Sequence, residues 1–335
     1  MNIKFYLPRG SFDRCFATGQ IDRLAAAHHV VLPKAVNGGE LLNEWVNDVA
    51  AAQVLVTGWG TPPLTHAMLD QAERLQLIVH AAGSVKAMLP ADFWDRGVRV
   101  TSCRQALAVA VAETALGLIL VGLKGVFPAA KCTAAGHWRT DPQWIGDRCV
   151  REMHGMTIGL VGASSVGREL LRLLRAFSVQ VQIYDPYVSE AQAQALGARK
   201  VELDDLMATS DVVTLHAADL PETRGMIGGR QLAMMKDQAI LINTARGALI
   251  DQPALVDELR KGRLFAFLDV TSPEPPAADH PLRTLPNVVL TPHIAGPMSN
   301  GCRLIGEAAV GQIEAFVRGV ELNSEITREA YAILA

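Results

Sequence analysis

The feature that most constrains the fold is a series of six short apolar segments in the second half of the chain. They read TIGLVGA, VQVQIYD, DVVTLHAA, AILINTA, LFAFLDV and NVVLTPH, and helix-length segments separate them. Strands that are apolar on both faces belong in a parallel sheet covered by helices on each side. The series therefore predicts a doubly wound α/β domain.

A weaker series occupies the first hundred residues, where IKFYL, HHVVL, AQVLVTG, LQLIVHAA and RVTS alternate with helix-like stretches. This alternation predicts a second parallel sheet. The last helix-like segment, about residues 298–318, is too small for a domain and is expected to pack back on the first half. With 335 residues, the chain is long enough for two domains. We expect one discontinuous domain formed by residues 1–101 and 295–335 and a second domain formed by residues 102–294.

Charge and cysteine usage limit the partners and the compartment. The 31 Lys and Arg residues are balanced by 34 Asp and Glu residues, with no basic run, which argues against nucleic acid as a partner. Five cysteines without a C-x-x-C pair fit a reducing cytoplasm, and the N-terminus lacks the pattern of a secretory signal. The apolar run 106–121, interrupted by Glu113, is short for a bilayer span of about 20 residues and predicts a buried helix, with no membrane association.

A glycine-rich turn joins the strand TIGLV to the helix-like segment ELLRLLRAF. Free amides at a helix N-terminus and the helix dipole favour a dinucleotide diphosphate in this context. In the pattern G-x-G-x-x-G, Gly162 supplies the tight turn and Gly167 the close helix contact, whereas Ser164 replaces the middle glycine. A triphosphate-binding loop has the same outer spacing, but Arg168 and Glu169 stand where Lys and Ser or Thr are required.

Asp185 ends the next strand, 18 residues after Gly167. A carboxylate at this point can accept hydrogen bonds from both ribose hydroxyls of adenosine, and it would repel a 2′-phosphate. The position favours NAD over NADP. A plain strand-to-helix turn followed by an unrelated acidic residue is the alternative reading of the same pattern.

Three polar residues follow apolar strands at the edge where ligands bind in open parallel sheets: Arg246, Glu274 and His293. Taken singly, each also fits a solvated, capping or turn residue. Together they supply the chemistry for reduction of a 2-keto acid by hydride. A guanidinium can hold a carboxylate, an imidazole can exchange a proton, and a carboxylate can orient the imidazole and keep it charged.

In this order the motifs resemble those of the D-isomer-specific 2-hydroxyacid dehydrogenases. The resemblance covers most of the chain and rests on residues 161–167 (VGASSVG), 184–187 (YDPY), 215–216 (LH), 243–247 (NTARG), 268–270 (LDV), 274–275 (EP), 285–288 (LPNV) and 291–294 (TPHI). It implies Arg246 as the substrate anchor, His293 as proton donor and acceptor, and Glu274 as its partner. It also implies substrate-carboxylate binding by the backbone of Gly83, Ser84 and Val85 together with Arg246.

The resemblance further implies NAD as cofactor and no metal ion. The implied cofactor-binding residues are Gly162, Ser164, Ser165, Val166, Gly167, Asp185, His216, Ala217, Thr244, Ala245, Arg246, Asp269, His293 and Ala295, with Asp269 near the carboxamide. The implied fold is a Rossmann-type coenzyme domain (102–294) plus a smaller flavodoxin-like, discontinuous substrate domain (1–101 and 295–335), with the active site in the cleft. A homodimer formed through the coenzyme domains, with the apolar helix near its interface, is also implied.

The sequence departs from the family pattern at two loops. Ser164 and Ser165 occupy the second glycine and the following basic position of the fingerprint, which puts cofactor affinity in question. In the first half, the family loop G-x-G-x-D reads AGSVK over residues 82–86, with Ser84 in place of the second glycine and Lys86 in place of the acid. The identity of the substrate is therefore open among pyruvate, glyoxylate, hydroxypyruvate, a bulkier keto acid and phosphohydroxypyruvate.

Three other functions share this architecture. A formate dehydrogenase would carry glutamine beside its histidine, so Glu274 argues against that activity. A phosphite dehydrogenase retains a similar triad. An NAD-sensing, corepressor-like protein keeps the fold and the triad but works by binding partners, and turnover of a keto acid at ordinary enzyme rates would separate it from an enzyme.

Overall fold

The computed structural model describes residues 1–33, 49–90, 92–142, 146 and 150–333. The chain divides into two compact units, the first made of Met1–Ala108 with Pro297–Ala335 and the second of Val109–Gly296. The division falls within the helix Arg104–Leu123, whereas the sequence analysis placed the boundary before this helix. The predicted domain bounds stay a prediction.

The first unit is built on a five-stranded parallel sheet of order β2-β1-β3-β4-β5. Its strands are β1 (Asn2–Tyr6), β2 (His29–Val31), β3 (Val54–Gly58), β4 (Leu77–Ala81) and β5 (Arg99–Ser102). Helices Arg9–Cys15, Thr18–Ala25, His66–Gln71, Cys302–Val317 and Arg328–Ile333 also belong to this unit. The apolar face of Cys302–Val317 packs into the same core as Phe5 and Val79, which confirms that the C-terminal segment returns to the first half.

The second unit is built on a seven-stranded parallel sheet of order β12-β11-β10-β9-β6-β7-β8. Its strands are β6 (Thr157–Val161), β7 (Gln180–Tyr184), β8 (Arg199–Lys200), β9 (Val212–Leu215), β10 (Ile240–Asn243), β11 (Phe265–Leu268) and β12 (Val288–Leu290). The helices are Val126–Ala134, Ser165–Leu174, Glu190–Ala195, Leu203–Thr209, Gly229–Met234 and Gln252–Arg260, together with most of Arg104–Leu123. Separate apolar cores cover the two faces of the sheet.

The two parallel sheets confirm the predicted α/β class. In the second unit, β6 has β7 on one side and β9 on the other, so the direction in which strands are added reverses beside β6. Ligands bind in open α/β sheets outside the carboxyl ends of the strands at such a reversal. The glycine-rich turn lies at this point because it directly follows β6.

The long apolar helix Arg104–Leu123 differs from its prediction. It has 20 residues, and by length and composition it is apolar enough to cross a membrane, the only such helix in the described part of the chain. A share of 33% of the residues in its most apolar stretch is fully buried and most of the others are partly buried, so the helix is buried less completely than expected. Ala112, Ala115 and Ile119 nevertheless pack in the core beneath the larger sheet, and core helices of this kind meet the same criterion.

Candidate active site

The glycine-rich turn after β6 allows three backbone segments to approach one another closely. Gly162 has a positive φ of 102°, and a Cβ atom there would lie 2.6 Å from the backbone nitrogen of Ala217. A Cβ atom on Gly167 would collide with the carbonyl oxygen of Gly162. Both glycines are therefore required by packing, the first by its backbone conformation as well.

Ser164 fills the place of the middle glycine without strain. Its φ of −60° and ψ of 176° are open to any residue. Its Oγ accepts a hydrogen bond from the amide of Gly167 at 3.4 Å and caps the helix Ser165–Leu174. The departure from the family pattern thus exchanges a glycine for an N-cap, a replacement that stabilises the helix start.

Asp185 lies beside the same turn. One of its carboxylate oxygens accepts from the amide of Ala163 at 2.7 Å, and the other accepts from the amide of Tyr187 at 2.8 Å. These two bonds fix the carboxylate at the carboxyl end of β7 while leaving lone pairs for further donors. The position is that expected of a ribose-binding acid.

Two buried polar side chains border the turn from the neighbouring strands. The ring of His216 is buried after β9, its Nε2 lies 3.0 Å from Thr214 Oγ1, and burial lowers its pKa to about 3. The Nδ1 of this ring is buried as well and has no hydrogen-bond partner within the described residues. The Oγ1 of Thr244, after β10, is buried and has no hydrogen-bond partner within the described residues. Such an orphaned hydroxyl is matched to a polar ligand.

These features fit a dinucleotide at the carboxyl edge of the sheet. The amides of Ser165 and Val166, in the first turn of a helix, could receive the diphosphate. Asp185 could hold the adenosine ribose, and the orphaned hydroxyl of Thr244 could bind farther along the cofactor. Ala217 and Ala245 are half-buried at the same edge, consistent with their predicted contacts.

The segment after β10 presents the guanidinium of Arg246 to solvent. The buried side chain of Asn243 folds this segment by donating to the carbonyl of Arg246 at 2.8 Å and accepting from the amide of Ala245 at 3.0 Å. Gly247 lies against the backbone of Thr271, where any Cβ atom would clash. Arg246 donates to the carbonyl of Ala245 at 2.7 Å and pairs with no acid in the described part of the chain. Its charge is therefore available to a carboxylate ligand.

The structure brings Glu274 and His293 into contact. Nδ1 of the histidine lies 2.6 Å from Oε1 of the glutamate, and both side chains are partly exposed, the histidine at 50% and the glutamate at 39%. A carboxylate at Nδ1 makes this nitrogen the protonated one, so Nε2 is the atom that can exchange a proton with a ligand. The backbone of His293 is left-handed, with φ of 56°, which sets the direction of its side chain.

Asp269 holds the loop that carries the histidine. Its Oδ1 accepts from Thr291 Oγ1 at 2.6 Å and from the amide of Ile294 at 2.9 Å, and its Oδ2 accepts from the amide of Ala295 at 2.8 Å. The side chain is buried, so these bonds form in a low-dielectric environment. The family resemblance implied a position near the cofactor carboxamide for Asp269 but did not indicate this bracing role. The only signal for it was an acid directly after an apolar strand.

Arg246, Glu274 and His293 follow β10, β11 and β12, which are adjacent in the sheet. The arrangement combines an unpaired cation with an imidazole–carboxylate pair beside a dinucleotide-type turn. It can bind a carboxylate and move a proton at one atom, the requirements of hydride exchange at a 2-keto acid.

The predicted substrate loop lies in the other unit, after β4. Gly83 and Ser84 are half-buried, and the side chain of Val85 is in the core, so the backbone amides and the Ser84 hydroxyl are the groups of this loop that can donate to a carboxylate. His80 supports this loop from below. Its buried ring lies 2.9 Å from Thr57 Oγ1 and hydrogen-bonds to the backbone of Ser84, and burial lowers its pKa to about 4.

Comparison with known proteins shows a matching family. Residues 116–295 match the family described as D-isomer specific 2-hydroxyacid dehydrogenase, NAD binding domain. The chain is 33% identical to a D-3-phosphoglycerate dehydrogenase of Methanocaldococcus jannaschii, over 82% of this chain and 52% of that protein. It is 31% identical to a glycerate dehydrogenase of Methylorubrum extorquens, over 78% of this chain and 82% of that protein.

A crystal structure of a Thermus thermophilus protein has the same fold, with a TM-score of 0.74 and 30% identity, over 98% of this chain and 100% of that one. The chain spans about half of the length of two phosphoglycerate dehydrogenases that it matches, at 52% and 48%.

Proposed function

Because this chain belongs to the family of D-isomer-specific 2-hydroxyacid dehydrogenases and carries its NAD-binding domain, we propose that it interconverts a small 2-keto acid and the D-2-hydroxy acid. The observation that carries the proposal is the 2.6 Å contact between His293 and Glu274, at the same edge of the sheet as Arg246, which pairs with no acid in the described part of the chain. In the direction of reduction, bound NADH supplies the hydride that C2 of the keto acid receives.

The protein side chains handle the charges and the proton. Arg246 binds the substrate carboxylate through its planar fork of donors. Nε2 of the His293 imidazolium gives its proton to the carbonyl oxygen, which becomes the hydroxyl, and the imidazole is left neutral with its Nδ1–H bonded to Glu274. Glu274 favours the charged ring before this transfer and fixes its tautomer throughout.

The residues proposed to hold NAD are those at the carboxyl edge of the larger sheet. The first turn after Gly162 would receive the diphosphate, and Asp185 would bind the ribose hydroxyls. The backbone amides of Gly83, Ser84 and Val85 are proposed to bind the substrate carboxylate. These assignments are supported by the local geometry and by the family to which the chain belongs.

A screen of NADH oxidation tests the proposed activity. Glyoxylate, pyruvate and hydroxypyruvate are offered with NADH, and the product is identified by chiral separation. We expect turnover of at least one acid to the D-isomer, with loss of the activity in His293→Ala. Phosphite and formate with NAD form the comparison arm. The proposal is wrong if the protein binds NADH but turns over no keto acid, which would favour a binding function, or if phosphite or formate is the better substrate.

We further propose that the protein acts in the cytoplasm as a homodimer formed through its coenzyme unit. Leu120, Val126 and Phe127 of that unit are 37%, 44% and 43% exposed, an apolar surface that a second subunit could cover. Thiols of Cys15, Cys103 and Cys302 are buried and unbridged, as expected in a reducing compartment. Light scattering coupled to size exclusion measures the mass, and Phe127→Glu should shift it toward the monomer.

A further inference from the structure

Arg104 is the first residue of the helix that follows β5, and its surroundings are unusual for an arginine. The guanidinium is half-buried, and burial lowers its pKa. Its one hydrogen bond runs from Nη1 to Ser102 Oγ at 3.5 Å, and within the described residues it pairs with no acid. Arg99, at the start of β5, instead forms a bidentate pair with Glu325.

This arrangement opposes stability. A cation in the first turn of a 20-residue helix lies at the positive end of the helix dipole, where anions are favoured. A desolvated charge without a partner is also unfavourable. Both effects would be reversed by an anionic ligand that binds the guanidinium.

The position of Arg104 relative to the substrate loop identifies where such a ligand would bind. The amide of Cys103, its neighbour, donates to the carbonyls of His80 and Ala82 at 3.0 and 3.1 Å. Arg104 directly follows Cys103, and Gly83 directly follows Ala82. The helix and the loop therefore begin next to each other, at the carboxyl edge of the smaller sheet.

We propose that Arg104 forms an anion-binding subsite beside the Gly83–Val85 loop and that the substrate is a 2-keto acid with a second anionic group, a carboxylate or a phosphate. This inference rests on the proposed function, in which that loop binds the 2-keto carboxylate. Arg104 selects for the distal anion and takes no part in proton or hydride transfer.

Matched substrate pairs test the subsite with the full-length protein and NADH. One pair is 2-oxoglutarate against 2-oxopentanoate, which differ by a distal carboxylate, and the other is 3-phosphohydroxypyruvate against hydroxypyruvate, which differ by a phosphate. We expect kcat/KM to favour the doubly anionic member of one pair, and the pair that shows the preference tells which anion binds.

Arg104→Met should reduce kcat/KM for the preferred substrate by about 10- to 100-fold, mainly through KM, because one charge-assisted interaction is lost. For the singly anionic substrate of the same pair, kcat/KM should change by less than about threefold. Arg104→Lys should restore part of the preference. The matched control is Arg74→Met, at an exposed arginine that precedes β4 and so lies at the opposite edge of the sheet. This variant should leave kcat/KM unchanged for both substrates of each pair.

Thermal melting separates this role from a structural one. Arg104→Met should melt at the temperature of the wild type or above it, since the variant removes an unpaired charge. Equal losses for both members of each pair, a lack of preference in the wild type, or a lower melting temperature would overturn the subsite while leaving the proposed activity intact. If no 2-keto acid is reduced at all, the proposed function fails first.

Discussion

The backbone amide of Ala295 donates to the buried carboxylate of Asp269 at 2.8 Å. The same carboxylate also accepts from Thr291 Oγ1 and from the amide of Ile294, so one acid holds the segment on either side of His293. The backbone carbonyl of Asp269 also accepts from the amide of His293 at 2.9 Å, so the direction of the catalytic ring is coupled to this residue. This coupling makes Asp269 a positioning residue, in addition to any contact that it makes with the cofactor.

Asp269→Asn should impair both stability and catalysis. The amide group of asparagine would face backbone N–H donors, so at least one charge-assisted hydrogen bond, about 1.5–3 kcal/mol, is lost in a buried site. We expect a lower urea midpoint and a fall in kcat of about tenfold or more. Thr291→Val is the matched control, since it removes one donor and leaves both backbone amides bonded. A wild-type midpoint in Asp269→Asn would show that the bracing is unimportant.

Two buried histidines predict that acid destabilises the protein. Burial lowers the pKa of His80 to about 4 and that of His216 to about 3, below the ordinary value of 6.5. Below pH 6.5 the unfolded chain binds protons at these rings and the folded chain does not. Stability is therefore complete above pH 6.5 and is lost as the pH falls toward 4, by about 2 kcal/mol per ring at pH 5.

Urea unfolding at pH 7.5 and pH 5 measures this effect. His80→Gln should reduce the difference between the two free energies of unfolding by about 2 kcal/mol, because one of the two titrating rings is gone. The exposed His66 provides a control, and His66→Gln should leave the difference unchanged. If His80→Gln retains the full dependence on pH, the ring is not held neutral in the folded protein.

Cofactor choice depends on Asp185. A carboxylate accepts from ribose hydroxyls and repels a 2′-phosphate, so NADH should be preferred to NADPH in kcat/KM. Asp185→Ala should lower the ratio of kcat/KM for NADH to kcat/KM for NADPH, chiefly by weakening NADH binding. Some loss of stability is expected as well, because the carboxylate accepts from Ala163 and Tyr187. A clear preference of the wild type for NADPH would contradict the assignment.

Arg246→Lys tests the substrate anchor. Lysine retains the charge but not the planar fork, so a bidentate contact with the carboxylate predicts a severe loss of kcat/KM, of about 100-fold. Folding should be little affected, since the guanidinium is exposed and its one intramolecular bond goes to the adjacent carbonyl. Arg230→Lys, at an exposed arginine paired with Asp204, is the control. Near wild-type efficiency in Arg246→Lys would exclude the anchoring role.

The sequence predicted the parts of the fold that depend on apolar periodicity and glycine spacing. Both parallel sheets and the turn at Gly162 follow from such patterns. The strand Arg199–Lys200 could not be predicted, because it has two residues and neither is apolar. The helix Arg104–Leu123 was predicted to be buried from its composition, which does not tell how much of an apolar surface the rest of the chain covers.

Within the candidate site, residue types and their order predicted the contact between Glu274 and His293. The burial of the His216 ring was not predictable, since a polar residue after a strand ordinarily reads as exposed. The cap formed by Ser164 was also not predicted. Serine is a favoured N-cap, but at this position the family pattern has a glycine, which has no side chain that could cap the helix. Side-chain partners of this kind depend on tertiary contacts that a single sequence does not contain.

The contact between Glu274 and His293 predicts that the two residues act as one unit. His293→Ala removes the proton donor and should slow reduction by at least about 100-fold. Glu274→Gln keeps the size of the side chain but removes the charge that stabilises the imidazolium. Because the residues are coupled, the double variant should be little slower than His293→Ala alone.

A comparison of four rates separates this unit from a structural turn. Reduction by the wild type, Glu274→Gln, His293→Ala and the double variant is measured at saturating NADH with chemistry rate-limiting. Because Nδ1 of His293 lies 2.6 Å from the glutamate, loss of the carboxylate removes the partner that orients the ring, and Glu274→Gln alone should slow reduction by about tenfold or more. Glu222→Gln, at an exposed glutamate of the same unit, is the control and should leave the rate unchanged. A wild-type rate in Glu274→Gln, or a double variant slowed by the product of the two single effects, would leave Glu274 as an ordinary turn residue, because a carboxylate that acts only through the ring can have no effect once the ring is gone.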